Sequence, residues 1–413
     1  MKRIGGLWEQ IWEPANLREA FSKAAKGKWA RSTTRDFATA LDANLRQMRE
    51  AGLVGALPSG SFTQFTIYDP KERTIHAAAF SERVVHHAVM NRCEPFFDQW
   101  LDPDCYACRK GKGRLVALAR ASGHMRRFVW FLKMDIRKYF DSVDHAILTQ
   151  MLERKFKDPQ LLAFFRQRLA DYETASGKGL PIGSLLSQHF ANFYLSALDQ
   201  YVRRDLRLPA MVRYMDDVVV WSEEKSSLLA ALPRIKGMLE QELGLALKPN
   251  VQINRTALGV DFLGVRLRGA SIRLNHRSRV RFSRKWRGLE QAYWAGAITE
   301  RQLQQRSCAL IEFTRWADAS SYRLGILQRF GTAATGLEPC EPRRQLEQQR
   351  VELPVGETQQ EQPGQPEQQP GLPPLPCPSS AGRRMPSRPN RQPSCPAMTN
   401  CRQSLTAPSV LVV

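Results

Sequence analysis

The sequence predicts an α+β protein, an antiparallel sheet backed by helices, followed by a tail without a fold of its own. Three observations lead there. Helical and extended hydrophobic patterns alternate before residue 336 with no fixed repeat, which excludes a solenoid. Two segments, "RRFVWFLKMDI" (126–136) and "MVRYMDDVVVWS" (211–222), are rich in aromatic and β-branched residues, and each meets aspartate where a strand should end or turn. From residue 338 onward lie 15 of the 25 prolines, many glutamines and no Phe, Tyr or Trp. Such a stretch buries too little apolar surface to offset its ordering entropy, so 336–413 is expected to be a disordered Pro/Gln-rich tail.

The elements follow in order. Residues 13–51 are predicted helical, with Leu17, Phe21, Phe37, Leu41 and Leu45 at helical spacing. "SFTQFTIYDPKERTIHAAAF" (61–80) alternates like a hairpin broken at Asp69-Pro70, and 81–98 return to helix. The strand in 126–136 ends at Asp135, and Ser142 or Asp144 can cap the helix "DHAILTQMLERKF". After Gly183-Ser184 a long helix is expected to about Arg204, with Leu186, Phe190, Phe193, Ala197 and Tyr201 on one face. A further helix, 225–243, precedes the hairpin-like "GVDFLGVRLRGASIRLN" with its turn around Gly269.

With 413 residues and 43% hydrophobic content the chain can bury a sizeable core. Its 61 Lys+Arg against 40 Asp+Glu leave +21. The tail from 338 holds eight Arg, no Lys and seven Glu, so +20 belongs to the folded part. That surplus favours a polyanionic partner, nucleic acid above all. No stretch approaches a membrane span and "MKRIGGLWEQIWEPANL" lacks a secretory apolar core, so a cytoplasmic protein without membrane contact is expected. The eight cysteines are scattered, which suits a reducing compartment. Cys105 and Cys108 form a single C-x-x-C with no second ligand pair at zinc-site spacing, so no zinc is expected there.

The β-formers flanking Met215-Asp216-Asp217 fit two antiparallel strands whose connection carries the acids. Taken alone, such a pair reads as a solvated acidic turn. Asp135 at another strand end alters that reading. Three converging carboxylates would build an oxygen-rich site for two Mg²⁺ ions, the arrangement that serves in-line phosphoryl transfer.

"FLKMDIRKYFDSVDH", "GLPIGSLLSQHFANFYLSALD" and "VRYMDDVVVWS", in this order, resemble the palm motifs of reverse transcriptases, and the resemblance runs from about residue 5 to 330. It implies a right-hand polymerase: an N-terminal extension and fingers in 1–125, a palm with inserted finger segments in 126–275, and a helical thumb in 276–335. It also implies roles. Asp135 and Asp216 resemble the metal ligands, Asp217 completes the cluster, and Ile136 lends its backbone carbonyl; the ions are Mg²⁺, with Mn²⁺ as substitute. Phe140 matches the aromatic that blocks a ribonucleotide's 2′-hydroxyl. In "YACRKGKG", Arg109 and Lys110 are similar to the finger residues that hold the incoming triphosphate, as is Arg73. Ile182 and Gln188 would line the nucleotide site, and Lys248 would stand near the pyrophosphate as general acid. "VDFLGVRL", with Phe262, Leu263 and Gly264, resembles the primer grip. In "NHRSRVRFSRKWRGLEQAYW", Arg284, Lys285 and Arg287 would track template and primer phosphates while Phe282, Trp286, Tyr293 and Trp294 pack.

Ile182 stands where many relatives carry Gln or Arg, and Ser187-Gln188 where group II intron relatives usually show Ser-Pro. With the compact length, this is most similar to reverse transcriptases of diversity-generating retroelements. These copy a template RNA from a cDNA primer with dNTPs, err at adenines, and work with a small basic accessory protein. Group II intron-like and phage-defence reverse transcriptases are the alternatives, and a non-catalytic RNA-binding scaffold is the alternative of another class.

Overall fold

The computed structural model describes residues 3–68 and 71–330; the predicted tail and the Asp69-Pro70 break lie outside the described residues. Its centre is a four-stranded antiparallel sheet in the order β4-β5-β3-β6, with β3 Trp130–Asp135, β4 Ala210–Tyr214, β5 Asp217–Ser222 and β6 Gln252–Arg255. Both faces of β3 and β5 are covered, which is why these strands read as continuous apolar runs rather than as polar alternation. Leu132, Met134, Val218 and Val220 face one core, built with the helices Phe80–Trp100, Pro159–Ala170, Leu185–Tyr194 and Lys225–Glu242. Phe131, Val219 and Trp221 face a second core, closed by the helix Arg114–Arg127 and a three-stranded sheet. That sheet runs β7 Val260–Phe262, β8 Val265–Arg268 and β9 Ser271–Leu274, all antiparallel. It contains the expected turn at Gly269, whose φ of +56° suits glycine. Fold class α+β therefore holds.

The N-terminal helical stretch is three helices rather than one: Pro14–Ala25, Ser32–Thr39 and Leu41–Leu53. Gly27, at φ +70°, turns the chain out of the first. The helix after Ser184 proceeds as Leu185–Tyr194 and Ser196–Gln200, then widens into a π turn over Tyr201–Asp205. Of the two offered caps it is Asp144 that works, accepting from the N–H groups of Ala146 and Ile147. Three helices close the described chain, His276–Trp294, Glu300–Thr314 and Ser320–Phe330. Phe282 and Trp286 stack inside them as expected, whereas Trp294 stays 64% exposed. No helix among the described residues is long and apolar enough to cross a membrane.

A separate hairpin, β1 Phe62–Ile67 with β2 Arg73–Ala78, pairs Phe62 with Ala78 and Ile67 with Arg73. It is pinned to the loop before Leu185, because the His76 N–H donates to the Ile182 carbonyl at 2.8 Å. Gly183 makes that approach attainable. Its φ is +114°, and a Cβ there would lie 2.9 Å from Ile75 Cγ2 and 3.2 Å from the His76 carbonyl oxygen. Gly183→Ala is therefore expected to cost about 1–3 kcal/mol, read as a lowered urea midpoint; an unchanged midpoint would show the hairpin is not seated on this glycine.

Candidate active site

The site is set by strand register. Asp135 is paired directly with Asp217 across β3 and β5. Opposed residues of an antiparallel pair share a face, with Cβ atoms about 4.5–5.5 Å apart, so both carboxylates leave the sheet on the same side. Lys133 is two residues back on that side, its Nζ 3.5 Å from Asp217 Oδ1 and 2.5 Å from the Asp261 carbonyl oxygen. Asp216 follows Met215 in the turn that joins β4 to β5, and Met215 holds φ +57°, the left-handed region that non-glycine residues seldom occupy.

Electrostatics mark the cluster. Burial and the Asp135 carboxylate beside it push Asp216 up to about 6. Burial also pushes Asp217 up to about 6, opposed by Lys133 and reinforced by Asp135 and Asp216. Oδ1 of Asp217 is buried and has Lys133 Nζ beside it at 3.5 Å as an ion-pair partner, with no hydrogen bond of good geometry among the described residues, which leaves it lone pairs for a further cation. Hard carboxylate oxygens that repel one another are a donor set for Mg²⁺. Yet among the described residues no three His, Cys, Asp or Glu side chains are drawn together as a finished metal cage. Asp135 Oδ1 is instead held by Lys248 Nζ at 2.6 Å.

Lys248 is placed by backbone pairing. Its N–H donates to the Asp135 carbonyl, and the Arg137 N–H donates to Ala246, so Ile136 bridges Leu247 without spending its own carbonyl on that bridge. Phe140 lies in the short helix Tyr139–Ser142, partly buried, its carbonyl accepting from the Leu180 N–H. Ile182, two residues beyond Leu180, is tied through its own carbonyl to β2. Gln188, one helical turn into Leu185–Tyr194, accepts from the Cys108 thiol at 3.5 Å.

Two expectations are corrected. Arg109 is 8% exposed and its guanidinium is spent: Nε on Asp98 Oδ1 at 2.5 Å, Nη2 on the Asp98 carbonyl, and Nη1 on the carbonyls of Asp102 and Cys105. A triphosphate would have to strip four oxygens from it, so Arg109 folds its loop and does not face a ligand. Phe262 is 1% exposed and packs in the second core, so its ring is closed to a primer. Leu263 and Gly264, partly exposed at φ +46° and +83°, form the accessible turn. Lys110 reaches Glu94 at 3.0 Å and is 80% exposed, Arg73 ends the β1–β2 hairpin, and Arg284 and Arg287 lie exposed on the helix His276–Trp294 with Lys285 half-buried between them.

The structure also shows residues that sequence reasoning missed. Arg213, on β4 and 0% exposed, donates to both Asp199 oxygens at 2.7 and 2.6 Å, to the Asn192 side chain and carbonyl, and to the Met215 carbonyl at 3.2 Å. It holds the acidic turn from beneath. The Arg213 backbone pairs with Asp104 and Tyr106, which bolts the "DCYAC" loop to β4. Arg114 does the same for the turn at Leu263, donating to its carbonyl at 2.9 Å. An unusual Arg inside a β-pattern was the available signal for Arg213; nothing local announces Arg114.

Residues 69–267 match the reverse transcriptase (RNA-dependent DNA polymerase) family. Among individual proteins, the chain is similar to protein YkfC of Escherichia coli, 25% identical over 49% of this chain and 65% of that protein. It is 26% identical to the group II intron-encoded protein LtrA of Lactococcus lactis over 32% of this chain and 23% of LtrA. To nuclear intron maturase 4 of Arabidopsis thaliana it is 24% identical over 50% of this chain and 26% of the maturase. The chain thus spans less than two thirds of the length of these relatives. Telomerase from Candida albicans superposes with TM-score 0.40 at 12% identity, covering 68% of this chain and 55% of that one. Strand order, the acids gathered at two strand ends and the sequence match converge on one conclusion: residues 69–267 are a domain of the reverse transcriptase family.

Proposed function

We propose that the chain is an RNA-directed DNA polymerase that copies a template RNA into cDNA. The observation that carries this reading is the register that sets Asp135 opposite Asp217, with Asp216 in the adjoining turn. Asp135, Asp216 and Asp217 with the Ile136 carbonyl would hold two Mg²⁺ ions, or Mn²⁺ in their place. Bound there, such ions supply activation of a primer 3′-hydroxyl and charge neutralisation on the departing pyrophosphate.

The chain's own residues do the rest. Lys248 neutralises Asp135 until the cluster is loaded and then lies within reach of the phosphates as a proton donor. Phe140 occupies the space a 2′-hydroxyl would need, which selects dNTPs. Ile182 and Gln188 border the base, and Lys110 and Arg73 offer cations to the triphosphate in place of Arg109. Leu263 and Gly264 bring the primer end up to the acids. In hand terms, the central sheet is the palm, the hairpin β1–β2 belongs to the fingers and the last three helices are the thumb. A scaffold that merely bound RNA would gain nothing from carboxylates aimed at phosphates. The test is extension of a primed RNA template with dNTPs and Mg²⁺, run against a chain altered at Asp216; equal signals would remove the enzyme.

The retroelement type, with error-prone copying and a small basic accessory protein, rests on Ile182 and Ser187-Gln188. A group II intron-like or phage-defence role would use the same chemistry. An apolar Ile182 makes no hydrogen bond to the nucleotide, so a mispair forfeits little against a correct pair. Ile182→Gln is expected to lower misincorporation opposite template adenines several-fold, read by sequencing the cDNA. An unchanged error spectrum would detach fidelity from this side chain.

A further inference from the structure

We infer that Arg168 is a positioning residue for the incoming nucleotide: with Glu82, His86 and Asp171 it forms a buried ionic cluster that sets the angle of the hairpin β1–β2 and hence the reach of Arg73. The four side chains are from 2% to 9% exposed. Glu82 and His86 lie one turn apart on the helix Phe80–Trp100, and Arg168 and Asp171 close the helix Pro159–Ala170. Arg168 stands between two carboxylates, its Nε 3.0 Å from Asp171 Oδ2 and its Nη1 3.4 Å from Glu82 Oε1, while His86 Nε2 is 3.4 Å from that same Glu82 oxygen. Apolar side chains of similar volume are often at least as stable in such a place. The use of the cluster lies in where it puts the chain.

What it holds is the strap 57–61 that leads into β1. Arg168 Nη2 donates to the Pro58 carbonyl at 2.8 Å, the neighbouring Gln167 donates to the Leu57 carbonyl at 3.4 Å, and the Ser61 N–H donates to Glu82 Oε2 at 3.2 Å. Gly60 passes so close that a Cβ there would lie 2.6 Å from Glu82 Oε1 and 2.8 Å from Asp171 Oδ2. On the other side Glu82, His86 and Arg168 share a small cavity with Pro181 and Ser184, which flank the Ile182-Gly183 seat of β2. Both roots of the hairpin therefore meet at one cluster.

The far end magnifies what happens at the root. From the pair Phe62–Ala78 to the pair Ile67–Arg73 the hairpin runs about 17 Å, at roughly 3.4 Å per residue. The middle of β1 is exposed, Phe65 by 49%, so the root carries the orientation. A tilt of about 5° there moves Arg73 by about 1.5 Å over that length, and a misplacement of about 1 Å far from the chemistry can cost on the order of 10²-fold in rate. Lysine would keep the charge but could not serve Pro58, Glu82 and Asp171 together, as the guanidinium fork does. The inference rests on the polymerase reading for its ligand, the dNTP; the seating of the hairpin is measured without catalysis.

The experiment compares native full-length chain with Arg168→Lys, with Gly60→Ala, which crowds the cluster without removing a charge, and with Arg166→Lys, an exposed ion pair on the same helix. Hydrogen exchange of the amides in 61–78 is expected to quicken about tenfold in the first two and to stay unchanged in the third. Extension of a primed RNA template should show a dNTP KM raised about tenfold with kcat within about twofold, the mark of lost ground-state binding. A merely structural role would instead shrink the active fraction, lowering kcat at constant KM, and that pattern would overturn the inference. So would unchanged exchange, or an equal effect from Arg166→Lys. If native protein extends nothing, the polymerase reading alone falls; quickened exchange in the first two variants then still upholds the cluster as the seat of the hairpin, and unchanged exchange overturns it.

Discussion

An Asp216→Asn chain is expected to extend a primed RNA template on the order of 10³-fold more slowly than the native chain, the scale of losing one preorganised electrostatic partner of a transition state. The substitution keeps the shape of the side chain and removes only its charge. Asp216 is in the turn between β4 and β5, crowded by Asp135, and that crowding has no structural use: like charges brought together in a half-buried place oppose folding. The neutral amide should therefore leave the thermal midpoint equal or higher while activity disappears. Steady-state incorporation and a melting curve on the same preparation check both. A variant that loses stability along with activity would mean that Asp216 serves the fold, and one that keeps extending would retire the two-ion reading.

The second large effect is expected at Arg213. Arg213→Leu leaves Asp199 as a lone carboxylate in a fully buried position, and strips donors from Asn192 and from the Met215 carbonyl. Breaking a buried pair by removing one partner costs about 3–5 kcal/mol, which chemical denaturation would read directly. Replacing both, Arg213→Leu with Asp199→Leu, should recover part of that loss because no charge is stranded. Extension is expected to remain depressed in the double variant, since the turn carrying Asp216 still lacks the guanidinium beneath it. Full recovery of activity would show that the pair supports stability alone.

These two residues also show where sequence reading succeeds and where it stops. The strands around Asp135 and Asp217 were legible because both faces are buried, so apolar side chains run up to the acids with Lys133 the one interruption in β3. The pairing of Asp135 with Asp217 could be anticipated only through family likeness, since register depends on which strands meet, and 81 residues separate the partners along the chain. Arg213 and Asp199 were illegible for a different reason. A charge on a strand reads as solvent-facing until its partner is known, and the partner is on a helix that pattern alone describes as apolar. Arg109 failed the opposite way: set among lysines and glycines it looked like a phosphate ligand, while the oxygens that consume it come from backbone carbonyls no sequence displays. The helical stretch predicted over 13–51 is divided at Gly27 and again at Ala40, because hydrophobic spacing is blind to local departures of the backbone from helical angles.

Arg114 ties distant pieces into one lever. From the start of its helix it donates to the Leu263 carbonyl at 2.9 Å and to the Phe313 carbonyl at 3.4 Å, and its guanidinium lies 4.6 Å over the Phe313 ring. Any swing of the helix Glu300–Thr314 must consequently drag the Leu263-Gly264 bend along with it. The bend and the helix behind it are thereby one coupled piece, since displacing either alone breaks the Arg114 hydrogen bonds that join them.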